Sequence, residues 1–75
     1  MDGERRTRSM PIISVQLIRG RTPEMKRALM KELAEAAVRT LGAPEQSVRV
    51  ILTEIDPEHW GIGTTTKAEI ERNGA

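Results

Sequence analysis

Ser47-Val48-Arg49-Val50-Ile51-Leu52-Thr53-Glu54-Ile55 is a run in which nearly every position is apolar or β-branched, with Arg49 and Glu54 as its charged interruptions. This composition predicts a strand over residues 47–55 whose two faces are both at least partly covered. On its amino-terminal side, Pro44 and Ser47 mark a short turn and Gly42 a helix stop. Before that stop, Met25, Leu29, Leu33, Ala36 and Thr40 recur at spacings of four and three, flanked by Met30, Ala37 and Leu41, so a helix with a broad apolar stripe is expected. Lys26, Lys31, Glu35 and Arg39 fall on the other side as a solvated face, with Lys31, Glu35 and Arg39 spaced four apart. Thr22 is suited to cap this helix, Pro23 to its first turn, and Glu24 to its dipole, so the helix runs from Pro23 to about Leu41. Arg19-Gly20-Arg21 separates it from an earlier segment in which Ile13, Val15 and Leu17 alternate with Ser14 and Gln16, a strand over Ile12–Ile18.

Strand, helix and strand in this order make an α/β fold: one βαβ unit with two parallel strands and a right-handed crossover. Two strands do not make a stable sheet. A strand covered on both faces, in a chain with one helix to offer, implies that other subunits supply the missing layer and extend the sheet. Length points the same way. The chain has 75 residues, 37% in the hydrophobic set, and Trp60 as its single aromatic, enough for one small domain with a modest core. It has no cysteine and one histidine, so disulfides and thiolate or histidine metal sites are excluded as staples, and oligomerisation remains.

Twelve basic against eleven acidic residues give a net charge of +1, which argues against a nucleic-acid partner. Residues 1–10 hold Asp2, Glu4, Arg5, Arg6 and Arg8 without a hydrophobic period and are expected to form a disordered arm, with the single domain over residues 11–75. No apolar run approaches the roughly 18 residues of a membrane span, and residues 1–10 lack the apolar centre of a secretory signal, so a cytoplasmic location is the default. Asp56-Pro57-Glu58-His59-Trp60-Gly61-Ile62-Gly63 has the composition of a loop, and residues 64–75 are expected to form a short strand or hairpin arm and then fray.

No catalytic triad, metal motif or phosphate-binding loop is present, and Gly61-Ile62-Gly63 lacks the third glycine and following helix of a dinucleotide loop. What stands out is a proline directly after a methionine at the head of a strand, arginines at Arg21 and Arg49, and a lone tryptophan in a glycine-flanked loop. Each has an ordinary structural explanation: an edge proline, a solvated loop arginine, a core indole. Arg49, in an otherwise apolar strand, needs a partner or a ligand.

From Pro11 onward the chain resembles the 4-oxalocrotonate tautomerase family, whose superfamily uses an amino-terminal proline as catalyst. The resemblance is carried by Pro11-Ile12-Ile13, Gly20-Arg21-Thr22, Ser47-Val48-Arg49-Val50 and Trp60-Gly61-Ile62-Gly63, which together span residues 11–63. It implies a cofactor-independent tautomerase, without metal, acting on a small 2-hydroxy-dienoate or related enol acid. Pro11 would be the general base and acid, moving a proton between two carbons of the substrate. Arg21 and Arg49 would bind its carboxylate and carbonyl groups, and Trp60 would line the pocket. The resemblance further implies dimers with a four-stranded sheet, assembled into hexamers with sites between subunits.

Physical chemistry supports these roles. A secondary amine in a dry pocket near two guanidinium groups has its protonated form disfavoured by desolvation and like charge, which lowers its pKa toward neutrality. A guanidinium offers a planar fork to a carboxylate and stabilises charge growing on an enolate oxygen. The chemistry requires Pro11 to be the first residue, because a proline nitrogen joined to Met10 is an amide without useful basicity. A start at Met10 followed by methionine removal gives that terminus. Two alternatives follow from the same residues: a non-catalytic oligomeric subunit or binding protein with a blocked proline, and a superfamily hydratase or dehalogenase. The second needs a carboxylate to activate water, and although Asp56 and Glu58 lie nearby in sequence, Ile62 occupies the loop position that matters most.

Overall fold

The computed structural model describes residues 10–74. The arm expected over residues 1–10 lies, apart from Met10, outside the described residues. Strand β1 (Ile12–Ile18) and strand β2 (Arg49–Ile55) pair in parallel, and helix α1 (Pro23–Leu41) crosses between them. The register aligns Ile12 with Arg49, Val15 with Leu52 and Ile18 with Ile55.

The helix boundaries follow the residues that predicted them. Thr22 is extended and its hydroxyl accepts the Met25 amide at 3.1 Å, Pro23 occupies the first turn, and Gly42 closes the helix at φ +72 by donating to the Val38 carbonyl at 3.0 Å. The second strand is shorter than its composition suggested. Glu45–Ser47 wind into a 3-10 turn, with both the amide and the hydroxyl of Ser47 donating to the Pro44 carbonyl, and pairing with β1 starts at Arg49.

Alternation along the strands separates two faces. Ile13, Val15 and Leu17 of β1, with Val50, Leu52 and Glu54 of β2, are half-buried, whereas Ile12, Ser14 and Gln16, with Arg49, Ile51 and Thr53, form an exposed outer face. The core of one chain is accordingly thin: Ala37 and Ala43 are the buried hydrophobic residues among those described, and Ile12 and Ile51 remain 65% and 52% exposed. Lys26 departs from the solvated face expected for its side of the helix. It turns toward the sheet and pairs with Glu54 at 2.7 Å.

After β2 the chain makes a second 3-10 turn (Pro57–His59), a hairpin of β3 (Gly61–Ile62) and β4 (Thr65–Thr66), and a closing helix α2 (Lys67–Gly74). Gly61-Ile62-Gly63 is thus part of a hairpin. Gly63, at φ +64, takes the first of the two turn positions, where a tight hairpin needs a positive φ. The short hairpin arm expected in residues 64–75 forms as β4, and the fraying expected after it is replaced, as far as Gly74, by α2. Thr66 and Glu69 form a reciprocal capping box: the Glu69 carboxylate accepts the Thr66 amide at 2.8 Å, and the Thr66 hydroxyl accepts the Glu69 amide at 3.1 Å.

Candidate active site

Parallel pairing places the candidate residues at opposite ends of the two-stranded sheet. At one end, half-buried Pro11 opens β1, and its carbonyl accepts the Arg49 amide at 2.9 Å as the first rung of the ladder. The Arg49 guanidinium is exposed and folds back over the preceding turn, donating to the Gln46 carbonyl at 2.6 Å. At the other end, the Arg19 amide donates to the Ile55 carbonyl at 3.0 Å, and Arg21 and Trp60 lie in the segments that leave the two strands there. Seven-residue strands rising ~3.3 Å per residue separate the ends by roughly 20 Å. One chain therefore brings Pro11 and Arg49 together, but not with Arg21 or Trp60.

Arg21 is exposed and lines a small groove of about 130 Å³ with Leu17, Met25, Lys26 and Leu29, between β1 and the start of α1. Gly20, at φ +135, adopts a backbone conformation that side chains strongly disfavour, and so sets the turn from which Arg21 projects. Among the described residues Arg21 has no carboxylate partner, whereas its neighbour Arg19 pairs with Asp56 at 3.2 Å. Trp60 is half-buried at the foot of the hairpin, and its carbonyl accepts the Lys67 amide at 2.7 Å, which couples its backbone to the start of α2. His59 beside it is exposed.

The two carboxylates that could activate water are already engaged. Asp56 caps the 3-10 turn by accepting the Glu58 amide at 2.9 Å; this bond, and then the Arg19 charge, hold its carboxyl below the ordinary value of 3.8. Glu58 pairs with Arg72 of α2 at 3.0 Å. These ion pairs, and the Lys26–Glu54 pair, escaped the sequence analysis because each joins residues far apart in the chain. The capping box was also missed, although Thr66-Lys67-Ala68-Glu69 carries its spacing.

The chain is a small parallel βαβ unit with an outer sheet face left open, a proline at the strand head and, among the described residues, an uncommitted arginine at the far end. Residues 11–69 match the family described as tautomerase enzyme, and the chain belongs to that family. It is 54% identical over 59 residues to a probable tautomerase of Ralstonia nicotianae, covering 79% of this chain and 84% of that protein. It is 43% identical over 63 residues to a 2-hydroxymuconate tautomerase of Pseudomonas putida, covering 84% of this chain and all of that one. Among solved structures, a 4-oxalocrotonate tautomerase homologue of the tomaymycin biosynthetic pathway superposes with a TM-score of 0.83 at 42% identity, covering 87% of this chain and all of that one.

Proposed function

We propose that the chain is a cofactor-independent tautomerase that isomerises a small 2-hydroxy-dienoate or related enol acid to the conjugated keto acid, in a site assembled between subunits. The observation that carries this reading is the division of Pro11 and Arg49 from Arg21 and Trp60 by the length of a sheet whose outer face is open and leaves Ile12 and Ile51 exposed. Self-association covers Ile12 and Ile51, and it can set one chain's Pro11 opposite another chain's Arg21. The 2-hydroxymuconate tautomerase of Pseudomonas putida supports the substrate class.

Within that site the free Pro11 amine accepts a proton from one position of the bound acid and returns one to a carbon. Substrate and product therefore differ only in where a proton and the double bonds lie. Arg21 holds a carboxylate, the Arg49 guanidinium leaves the Gln46 carbonyl to meet the enolate oxygen, and the Trp60 indole excludes water, which strengthens both interactions. The engagement of Asp56 with Glu58 and Arg19, and of Glu58 with Arg72, favours tautomerisation over hydration or dehalogenation.

The test uses the chain beginning at Pro11, its mass confirmed, with conversion of 2-hydroxymuconate followed by absorbance. Pro11→Ala is expected to lose most turnover with the oligomer intact, and unchanged turnover overturns the mechanism. A chain that keeps Met10 has its proline nitrogen in an amide and supports the second reading, a binding or structural subunit. If that form turns substrate over as fast as the chain beginning at Pro11, proline is not the base.

A further inference from the structure

Arg49 rests on backbone oxygens. Its Nη1 donates to the Gln46 carbonyl at 2.6 Å and lies 3.4 Å from the Val48 carbonyl, and among the described residues no carboxylate pairs with it. The acceptor is itself fixed. The peptide unit that carries the Gln46 carbonyl also carries the Ser47 amide, which donates to the Pro44 carbonyl at 3.0 Å. The Ser47 hydroxyl donates to the same oxygen at 2.7 Å, and the Val48 amide donates to the Glu45 carbonyl at 3.3 Å. One peptide plane is thus oriented through its N–H and used through its C=O. The Arg49 backbone is fixed as well, by the bond from its amide to the Pro11 carbonyl at 2.9 Å.

What displaces such a contact depends on charge. The neutral hydroxyl or ketone oxygen of a bound acid offers Arg49 about as much as Gln46 already offers, so an exchange between them gains little. An enolate oxygen brings an opposite charge and a stronger bond. In the proposed reaction the oxygen is neutral in the enol acid and negative once its proton has passed to the Pro11 nitrogen. It is neutral again once the double bonds have shifted and a proton has been returned to carbon.

We propose that the Gln46 backbone carbonyl is a resting acceptor that competes with the neutral oxygen of the bound acid for Arg49, so that the guanidinium changes partner as that oxygen becomes charged and returns when the charge is gone. The inference deepens the tautomerase reading and rests on its assignment of Arg49. Arg49 then adds little to the binding of substrate or product, and its contribution falls on the charged species, where it lowers the barrier. Ser47 is a positioning residue for this exchange, because its amide and its hydroxyl together orient the carbonyl that Arg49 gives up.

The experiment weakens the resting acceptor without touching Arg49. In a chemically synthesised chain beginning at Pro11, the Gln46–Ser47 amide is replaced by an ester with the serine side chain kept: the ester carbonyl is the poorer acceptor, and the hydroxyl still holds the Pro44 carbonyl. Ser47→Ala, which loosens the same turn, is the second variant. Each is also made with Arg49→Ala, and all are checked for wild-type oligomer mass and circular dichroism. The quantities read are calorimetric affinity for 2-oxoadipate, a saturated dicarboxylate with a neutral ketone, and KM and kcat for 2-hydroxymuconate. The ester chain is expected to bind 2-oxoadipate roughly three- to tenfold more tightly, the range for one exposed hydrogen bond, and to lower KM by a similar factor with kcat little changed. Ser47→Ala should shift affinity in the same direction by less. In the Arg49→Ala background neither change should move the affinity. A turn that serves only the fold predicts unchanged or weaker binding, whether or not Arg49 is present. That result in the ester chain overturns the proposal, and if the ester chain does not assemble, the same result in Ser47→Ala overturns it. Tightening that persists without Arg49 overturns it as well. If 2-oxoadipate binds but no enol acid is turned over, the tautomerase reading fails, and the affinity series alone decides whether Gln46 and the ligand compete for Arg49.

Discussion

Two inactive variants should restore activity to one another. Pro11 and Arg21 leave opposite ends of β1, roughly 20 Å apart at ~3.3 Å per residue, a span that a small acid does not bridge. If both act on one substrate molecule, they come from different chains. Pro11→Ala and Arg21→Ala, each beginning at residue 11, should be nearly inactive as separate oligomers. Unfolded together in equal amounts and refolded, they mix within oligomers. Each site then draws its proline from one chain and its arginine from another, independently, so about one quarter of the sites carry both intact residues. Turnover of 2-hydroxymuconate should rise to roughly a quarter of the wild-type rate per site, while KM at those sites stays at the wild-type value. Native mass spectrometry confirms mixing, and the two variants refolded separately and then combined provide the baseline. Mixed oligomers that show no recovery would refute the division of the site between chains.

Other perturbations address the scaffold. Ile51→Lys puts a charge in the middle of the exposed outer face, and the oligomer is expected to dissociate toward single chains in size-exclusion chromatography; an unchanged mass means that this face is not an interface. Gly20→Ala meets nothing within 4 Å of the added Cβ, so the penalty is that of a side chain at φ +135, about 1–3 kcal/mol of stability in denaturant titration. Wild-type stability would show that the turn relaxes freely. Glu69 is held below its ordinary 4.5, first by the Thr66 amide and then by the Thr66 hydroxyl, so the folded state binds its proton less readily than the unfolded state does. Its contribution is complete above 4.5 and is lost as pH falls through the depressed folded value. The fluorescence of Trp60, whose carbonyl accepts the first amide of α2, should report that loss on acidification. Glu69→Gln should remove this part of the acid transition, and an identical transition in the variant would exclude the capping box as its source.

Most of the fold could be read from local chemistry. The alternation of Ile13, Val15 and Leu17, the Thr22-Pro23 start and the Gly42 stop each act within a few residues, and each element forms where those signals fall. The carboxyl-terminal segment was read less well. Its polar composition suggested fraying, yet Thr66 and Glu69 satisfy amides at the start of α2 on their own, and Arg72 ties that helix to Glu58. A short helix of this kind needs little apolar surface when its first turn is capped and one side chain anchors it to the neighbouring turn. Hydrophobic periodicity therefore registers it weakly, while the four-residue capping spacing identifies it.

The candidate site shows a different limit. Pro11, Arg21, Arg49 and Trp60 were all singled out from the sequence, but a sequence does not say which of its residues share a chain in the assembled site. The parallel register makes the distinction: Ile12 opposite Arg49 sets Pro11 beside Arg49, and Ile18 opposite Ile55 sends Arg21 and Trp60 to the far end. The same register gathers Ile12 and Ile51 on the outer face, where neither helix of the chain covers them. The open face and the separation of the candidate residues thus have one structural origin. A two-stranded unit long enough to leave Ile12 and Ile51 on an open face is also long enough to hold its two groups of candidate residues apart. Association that buries the face can bring complementary ends of different chains together, so the proposed site makes oligomer stability and turnover depend on the same contacts, and a variant that weakens one should weaken the other.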